Sequence, residues 1–220
     1  MVVSGNPIGT VSNYWVLITH LGTATLILPV AAVHGLALLQ DQKRALMRWM
    51  IALLAVILVT LLTKLVFLGW GLGIESINFT GVSGHTVLAS AFFPFIFYLY
   101  AHALTPRMRS SAVAAGVFIA VAVGVSRLEV GAHSLSEVVA GWLLGFSASA
   151  AGIVAIQPGP VRLKWVRYSL CLFLLIFDGA TVGQLQVHNW EIKLALWMSG
   201  HTAAITRQQA WPHPIYSHSQ

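Results

Sequence analysis

Charged residues are scarce in this chain. Only 8% of its 220 residues are Asp, Glu, Lys or Arg, whereas a soluble globular chain averages about 25%. Apolar residues make up 57%, and the mean hydropathy is +0.80. Too few charged side chains remain to solvate a surface of this size, which excludes a water-soluble monomer, a disordered chain and a nucleic-acid binder. The composition therefore predicts a membrane protein with no nucleic-acid partner.

The chain also has only one cysteine and no positively charged side chain near its start. The single cysteine, Cys171, can form no intramolecular disulfide, and we interpret it as a small side chain that faces lipid or the core. No Lys or Arg lies between Met1 and Asn13, so the start of the chain lacks the positive segment of a cleaved signal peptide. We therefore expect the first apolar stretch to remain as a membrane span.

Long apolar runs are abundant, and a membrane-crossing helix needs about 20 such residues. Six runs are long enough, at about 14–39, 46–70, 85–105, 110–126, 135–156 and 165–184. The sequence thus predicts an all-α fold, a polytopic bundle of six transmembrane helices over residues 1–184. Residues 185–220 are predicted to form a tail at the membrane interface, because Trp190, Trp197, Trp211 and Lys193 are typical interfacial anchors.

The distribution of Lys and Arg predicts the orientation, because retained cytoplasmic loops carry the excess of these residues. Eight lie in or beside the connections after spans one, three and five: Lys43, Arg44, Arg48, Arg107, Arg109, Arg162, Lys164 and Arg167. Four lie on the other side: Lys64, Arg127, Lys193 and Arg207. We therefore expect an integral protein of the cytoplasmic membrane, with both termini and the second and fourth connections outside the cytoplasm.

Most polar side chains with catalytic potential fall in those two outer connections. Ser83-Gly84-His85 opens the third span, and Arg127 and His133 flank the fourth connection. Because spans three and four form a hairpin, we expect these groups to meet at the outer face.

The residue types at this predicted meeting point favour phosphate. The free N–H groups of Ser83 and Gly84 at a helix start form an anion site. Arg127 can direct two hydrogen bonds to a phosphate, and Lys64 adds a point charge. The cluster therefore predicts an anion-binding site.

His133 and Glu137 are four residues apart and therefore share one helical face. A carboxylate there can accept from one ring nitrogen and leave the other able to attack. Ser134 and Glu137 also fit a capping box, in which the serine caps the helix and the glutamate returns the bond. Both interpretations of Glu137 stay open at this point.

Together, Lys64, Ser83-Gly84-His85 and Ser126-Arg127 with His133 and Glu137 resemble the three signature motifs of the type 2 phosphatidic acid phosphatase superfamily. The resemblance is to its integral membrane lipid phosphate phosphatases and covers roughly residues 40–185. It implies hydrolysis of a lipid phosphate or isoprenoid diphosphate through a phosphohistidine, with no metal and no cofactor, and with the lipid substrate and the bilayer as partners. The implied roles are nucleophile for His133, its orienter for Glu137, leaving-group acid for His85, and phosphate binding for Lys64, Ser83, Gly84 and Arg127.

The chain departs from the family pattern at several positions. Gly71 and Leu72 stand where the family has arginine and proline, so one phosphate donor is missing. Loss of one preorganised donor lowers the rate by about 10²–10³. Slow turnover, altered substrate choice and recruitment of Arg207 from the tail are all open consequences. Val82 for proline and Glu137 for aspartate are expected to be tolerated.

Two rival functions remain open. Gly81-Val82-Ser83-Gly84 is also similar to the serine motif of rhomboid intramembrane proteases, which predicts a Ser83–His133 dyad with a backbone oxyanion hole. That interpretation leaves Lys64, His85, Arg127 and Glu137 without a role. The missing arginine keeps open a second rival, a catalytically weak relative that binds lipid phosphate.

Overall fold

A computed structural model describes residues 13–157 and 180–211. These ranges are all-α, as predicted. They contain helices α1 (Asn13–His20), α2 (Ala24–Asp41), α3 (Lys43–Trp70), α4 (Gly84–Ala101), α5 (Pro106–Glu129), α6 (Leu135–Ile153), α7 (Ala180–Ser199) and α8 (Arg207–Ala210). The loop after α3 holds a short 3-10 helix, Glu75–Ile77, and an isolated antiparallel bridge between Ile74 and Phe79.

Five stretches are long and apolar enough to cross a membrane: Tyr14–Gly35, Lys43–Trp70, Gly84–Ala101, Pro106–Glu129 and Leu135–Ile153. They correspond to the first five predicted spans, and the prediction of a polytopic membrane bundle is confirmed. Most of the sixth predicted span, 165–184, lies outside the described residues, as does Cys171. Helix α7 overlaps the end of that span and continues to Ser199.

An apolar stripe on α3 faces outward. Ile51, Leu54, Leu58 and Leu62 are all exposed, and their spacing of three or four residues places them on one side of the helix. Such an apolar surface is unfavourable in water and favourable against lipid tails. The stripe is therefore the lipid-facing side of α3.

Helix α4 is the most enclosed of the spans, with 72% of its apolar window buried against 28–39% for the others. Trp49 of α3 is fully buried beside it, donates its Nε1–H to Ala91 O at 2.8 Å and stacks on Phe95 at 4.5 Å between ring centroids. The stacked rings and the satisfied indole N–H hold α3 against α4.

Helix α6 packs against α4 through glycines. A Cβ on Gly141 would lie 2.9 Å from Thr86 Cβ, and one on Gly145 would lie 2.5 Å from Ser90 Cβ. Small residues at this spacing allow two membrane helices to approach closely. This approach brings the first turn of α6 against the first turn of α4.

The break between α1 and α2 also contributes to the predicted outer end of the bundle, which is the end that carries the second and fourth connections. A Cβ on Gly22 would come within 2.7 Å of Val123 Cγ1 and 2.9 Å of His85 O. The break therefore packs directly against α4 and α5, next to a predicted site residue.

Residues 200–211, which we call the strap, fold back over the outer end of α3. Three contacts attach them to its last turns. These are the hydrogen bonds from His201 Nδ1 to Gly69 O (2.7 Å) and from Ile205 N to Leu68 O (2.9 Å), and the packing of the Trp211 ring on Phe67 at 5.6 Å. The strap thus ends beside the two outer connections.

Candidate active site

The first turn of α6 pairs His133 with Glu137. The Glu137 Oε2 atom accepts a hydrogen bond from His133 Nδ1 at 2.7 Å and another from Ser134 N at 3.1 Å. Ser134 Oγ accepts in turn from Glu137 N at 3.4 Å, which completes a capping box. Both contacts predicted for Glu137 are therefore present, since one carboxylate caps the helix and hydrogen-bonds the imidazole. Its role in orienting a nucleophile stays a prediction. Because Nδ1 donates to the carboxylate, Nε2 carries the lone pair of a neutral ring.

The second carboxylate oxygen of Glu137 is equally well satisfied. Its Oε1 accepts from Thr80 N at 2.7 Å, from Thr80 Oγ1 at 2.6 Å and from Arg207 Nη2 at 2.8 Å. Glu137 is fully buried, and its five hydrogen-bond partners all act as donors. This arrangement suits an ionised carboxylate held in one orientation. Sequence reasoning missed Thr80, because it lies in a loop and belongs to no recognisable motif.

His133 has a lowered pKa. Burial is the main cause, since it disfavours the charged ring, and the positive charges of Arg127 and Lys64 act in the same direction. The hydrogen bond to Glu137 opposes this shift without reversing it. The neutral ring therefore predominates at pH 7, and its Nε2 has a lone pair.

Five of the seven predicted site residues line a single cavity of about 1030 Å³. They come from the outer end of α3, the start of α4, the end of α5 and the loop before α6. These five are Lys64, Gly84, His85, Arg127 and His133. The predicted convergence of the two outer connections is thus present in the fold.

Arg127 lines this cavity with part of its hydrogen-bonding capacity unused. Its Nη1 donates to Thr19 Oγ1 of α1 at 2.8 Å. Its Nε is buried and has no hydrogen-bond partner among the described residues. A buried N–H without a partner costs about 1–3 kcal/mol, so the arginine is held beside the cavity with one donor unsatisfied.

Lys64 is paired with a residue that the sequence did not point to. Its Nζ lies 2.8 Å and 3.0 Å from the two carboxylate oxygens of Glu191 on α7, and both side chains are largely buried. Glu191 also lines the cavity. Its sequence surroundings indicated an interfacial tail, and only the packing of α7 against α3 reveals the contact.

Ser83 and Glu137 are the two predicted site residues that do not line the cavity. Ser83 is fully buried, its Oγ accepts from Thr86 Oγ1 at 2.9 Å, and its N donates to Glu137 O at 3.2 Å. No hydrogen bond joins Ser83 to His133 in the part of the chain that the structure describes. The dyad required by the protease interpretation is therefore not formed, while phosphate binding by Ser83 stays a prediction.

Away from these groups the cavity is mostly apolar. Its walls are formed by aliphatic side chains from α2, α3, α4 and α7, among them Leu28, Ile57, Leu61, Leu88 and Leu194. Leu61 and Ile57 lie about one and two turns deeper in the membrane span than Lys64. The cavity thus has a basic, histidine-bearing end and an apolar end.

A metal site was not predicted. Within residues 13–157 and 180–211, no three His, Cys, Asp or Glu side chains are grouped so that they could hold a metal ion. Independence from metals and cofactors stays a prediction that chelation can test.

The fold and the cavity together define a polytopic membrane protein whose cavity joins basic and histidine side chains to an apolar wall. The chain belongs to the PAP2 superfamily, whose family model matches residues 73–159, and the predicted resemblance to the superfamily is confirmed, while its lipid phosphate phosphatase branch stays a prediction. An uncharacterised 22.5 kDa protein in the cps region of Klebsiella pneumoniae is 39% identical over 157 residues, which cover 69% of this chain and 75% of that protein. No solved structure matches the chain. The family supports a phosphatase-type function.

Proposed function

We propose that this protein hydrolyses a lipid phosphate or an isoprenoid diphosphate at the extracytoplasmic face, through a phosphohistidine and without a metal. The observation that carries the proposal is the cavity, in which His133, Arg127 and Lys64 surround one end and aliphatic side chains from the spans surround the other. A lipid that bears a phosphate matches both ends. The proposal names the substrate class and leaves the individual lipid to experiment.

The first step is attack on phosphorus by His133 Nε2. The bond between the attacked phosphorus and the leaving oxygen breaks, and His85 protonates that oxygen as it leaves; the leaving group is the lipid alcohol for a monophosphate and the lipid monophosphate for a diphosphate. His133 then carries the phosphoryl group while Glu137 accepts its Nδ1–H and stabilises the positive charge on the ring. In the second step water attacks the phosphorus, His85 takes the proton from the water, and inorganic phosphate leaves with His133 regenerated.

The charge that develops on the phosphoryl oxygens needs donors that are already in place. Arg127, which lines the cavity, supplies such a donor. Lys64 supplies a point charge, and Gly84 begins α4, whose first N–H groups have no partner within the helix. These groups support the proposed binding of phosphate at the basic end.

The predicted orientation is part of the proposal and is tested separately. In a Cys171→Ala background, Glu75→Cys marks the second connection and Arg107→Cys marks the third, and both positions are exposed. A membrane-impermeant maleimide applied to intact cells is expected to label the first variant and not the second. Labelling of Arg107→Cys alone would show that the orientation is the opposite of the one proposed.

The central experiment measures phosphate release by the purified protein in EDTA. The substrates are phosphatidic acid, phosphatidylglycerol phosphate and an isoprenoid diphosphate, and the variants are His133→Ala and, as a matched control at the far end of α4, His102→Ala. We expect release by the wild type and by His102→Ala only. Full activity in His133→Ala would rule out the phosphohistidine.

One rival keeps a specific observation in its favour. Gly71 supplies no side chain at the position where the family has arginine, which favours a protein that binds lipid phosphate with little turnover. Binding of these lipids without phosphate release would support that rival. Proteolysis that depends on Ser83 would support the protease instead.

A further inference from the structure

The strap lies against the position where the family pattern places an arginine. Gly71 ends α3 in a left-handed conformation with φ 70°, which glycine adopts without strain. A Cβ there would lie 3.3 Å from Ile205 Cγ2 and 3.8 Å from Ala210 Cβ. The strap therefore fills the space that a side chain at position 71 would enter.

The strap is held firmly enough to deliver a side chain to the cavity. Its hydrogen bonds from His201 to Gly69 O and from Ile205 N to Leu68 O attach it before position 206. Thr206 and Gln209 then form a capping box across the next turn. Arg207 thus projects from a fixed backbone.

The Arg207 guanidinium lies at the basic end of the cavity. Its Nη2 is 2.8 Å from Glu137 Oε1 and 3.2 Å from Thr80 Oγ1. Its Nε and Nη1 form no hydrogen bond with any described residue, and 37% of the side chain is exposed. A guanidinium has five N–H donors, so most remain for a ligand in the cavity.

Arg207 also decides the charge of the site. Lys64 is paired with Glu191, and Arg207 with Glu137. Among the described residues around the cavity, the three cations Lys64, Arg127 and Arg207 thus exceed the two carboxylates by one, and loss of Arg207 would remove this net positive charge. A site without it would attract a phosphate dianion weakly.

We propose that Arg207 binds the substrate phosphate and that the strap supplies this arginine in place of the one missing at position 71. The proposal rests on the function proposed above. The Arg207 guanidinium binds a non-bridging phosphate oxygen from the side of Glu137, while Arg127 of α5 and Lys64 of α3 bind the phosphate from other sides. Arg207 is then a substrate-binding residue that also contacts the partner of the nucleophile.

Binding of inorganic phosphate to the purified full chain tests this inference apart from turnover. The variants are Arg207→Ala, Arg207→Lys and, as a matched control, Lys193→Ala, which removes an exposed cation of α7 that does not line the cavity. Titration calorimetry is expected to show phosphate binding about 10–100-fold weaker in Arg207→Ala, the loss expected for a hydrogen bond to a charged group. The phosphate affinity of Arg207→Lys should lie between those of the wild type and Arg207→Ala, and that of Lys193→Ala should match the wild type.

Chemical rescue separates a ligand contact from a structural one. Guanidinium ion at millimolar concentration is expected to restore part of the phosphate affinity of Arg207→Ala, because the strap leaves the emptied position open to solvent. A purely structural role for Arg207 would leave affinity unchanged by the added ion. His201→Ala, which removes one attachment of the strap, is expected to weaken phosphate binding less than Arg207→Ala does.

The outcomes distinguish this inference from the proposed function. Phosphate binding that depends on Arg207, without lipid phosphate release by the wild type, would sustain the inference and overturn the function. Wild-type release with unchanged phosphate affinity and unchanged turnover in Arg207→Ala would sustain the function and overturn the inference. Faster turnover in Arg207→Ala would also overturn it, because the contact with Glu137 would then be inhibitory. A wild type that neither binds nor releases phosphate would overturn both.

Discussion

Replacing Glu137 with glutamine tests the centre of the proposed mechanism. The change keeps the shape of the side chain and converts one of its two acceptor oxygens into an N–H donor group. Two orientations of the amide are available, one facing His133 and Ser134 and one facing Thr80 and Arg207. The hydrogen bonds around the native carboxylate decide between them.

The amide nitrogen is expected to face His133. In that orientation the remaining oxygen keeps the three donor bonds from Thr80 N, Thr80 Oγ1 and Arg207 Nη2. The amide then forces His133 Nδ1 to become an acceptor, so that Nε2 carries the proton and has no lone pair for phosphorus. A wrong tautomer of this kind lowers kcat by about 10⁴ in a hydrolytic triad, and we expect a loss of about 10²–10⁴ here.

The same change also affects stability. Ser134 N loses its charged acceptor, and the bond to Arg207 loses its charge assistance. Hydrogen bonds to charged groups contribute about 1.5–3 kcal/mol each, so we expect a destabilisation of about 2–5 kcal/mol. Thermal unfolding in detergent measures this cost separately from activity.

The assay is phosphate release in EDTA, with Glu129→Gln as the matched control because Glu129 is exposed at the end of α5. Both variants are compared with the wild type by size-exclusion profile before kinetics. We expect normal turnover in Glu129→Gln and a loss in Glu137→Gln at temperatures where both are folded. Turnover of Glu137→Gln within about threefold of the wild type would refute the orienting role, since a loss of at least about 10² is expected.

Three further predictions concern pH, a neighbouring charge and helix packing. Burial lowers the pKa of His133, and in the proposed mechanism only the neutral ring attacks. The value of kcat/KM should therefore stay constant on acidification to pH about 6.5 and fall only below that pH. A fall that begins above this pH would contradict the role of His133 as nucleophile. Glu191→Gln removes the negative charge paired with Lys64. Inorganic phosphate should then bind up to about tenfold more tightly, because the lysine is no longer neutralised. Weaker binding would show instead that the carboxylate positions the lysine. Gly145→Val places carbon atoms too close to α4 and should destabilise the fold by about 1–3 kcal/mol or more. Gly35→Ala, whose added carbon meets only ordinary van der Waals contacts, should leave stability unchanged. Equal unfolding temperatures for the two variants would argue against the packing of α6 on α4.

The identity of Glu137 as a partner of His133 could be predicted from spacing alone. Residues four apart on a helix share a face, and the hydrogen bond between the two side chains is present at 2.7 Å. The capping box was equally readable, because it depends on Ser134 and Glu137 within one turn. Neither prediction required knowledge of any other helix.

Arg207 shows where such reasoning stops. The sequence indicated that a phosphate donor is missing at Gly71 and offered this tail residue as one of three consequences. Its position beside Glu137 depends on the strap crossing the end of α3 and on hydrogen bonds to carbonyl groups of Leu68 and Gly69. No periodicity marks a chain segment that returns over a distant helix.

The sequence alone determined the class of this protein, because the composition and length of its apolar runs are local properties that the bilayer selects directly. It also determined the family, through a few residue types at short spacings. Only the tertiary structure decided which side chains the cations contact: Lys64 contacts Glu191, Arg127 contacts Thr19, and Arg207 contacts Glu137. These pairs join residues far apart in the chain, so they depend on how the helices pack against one another.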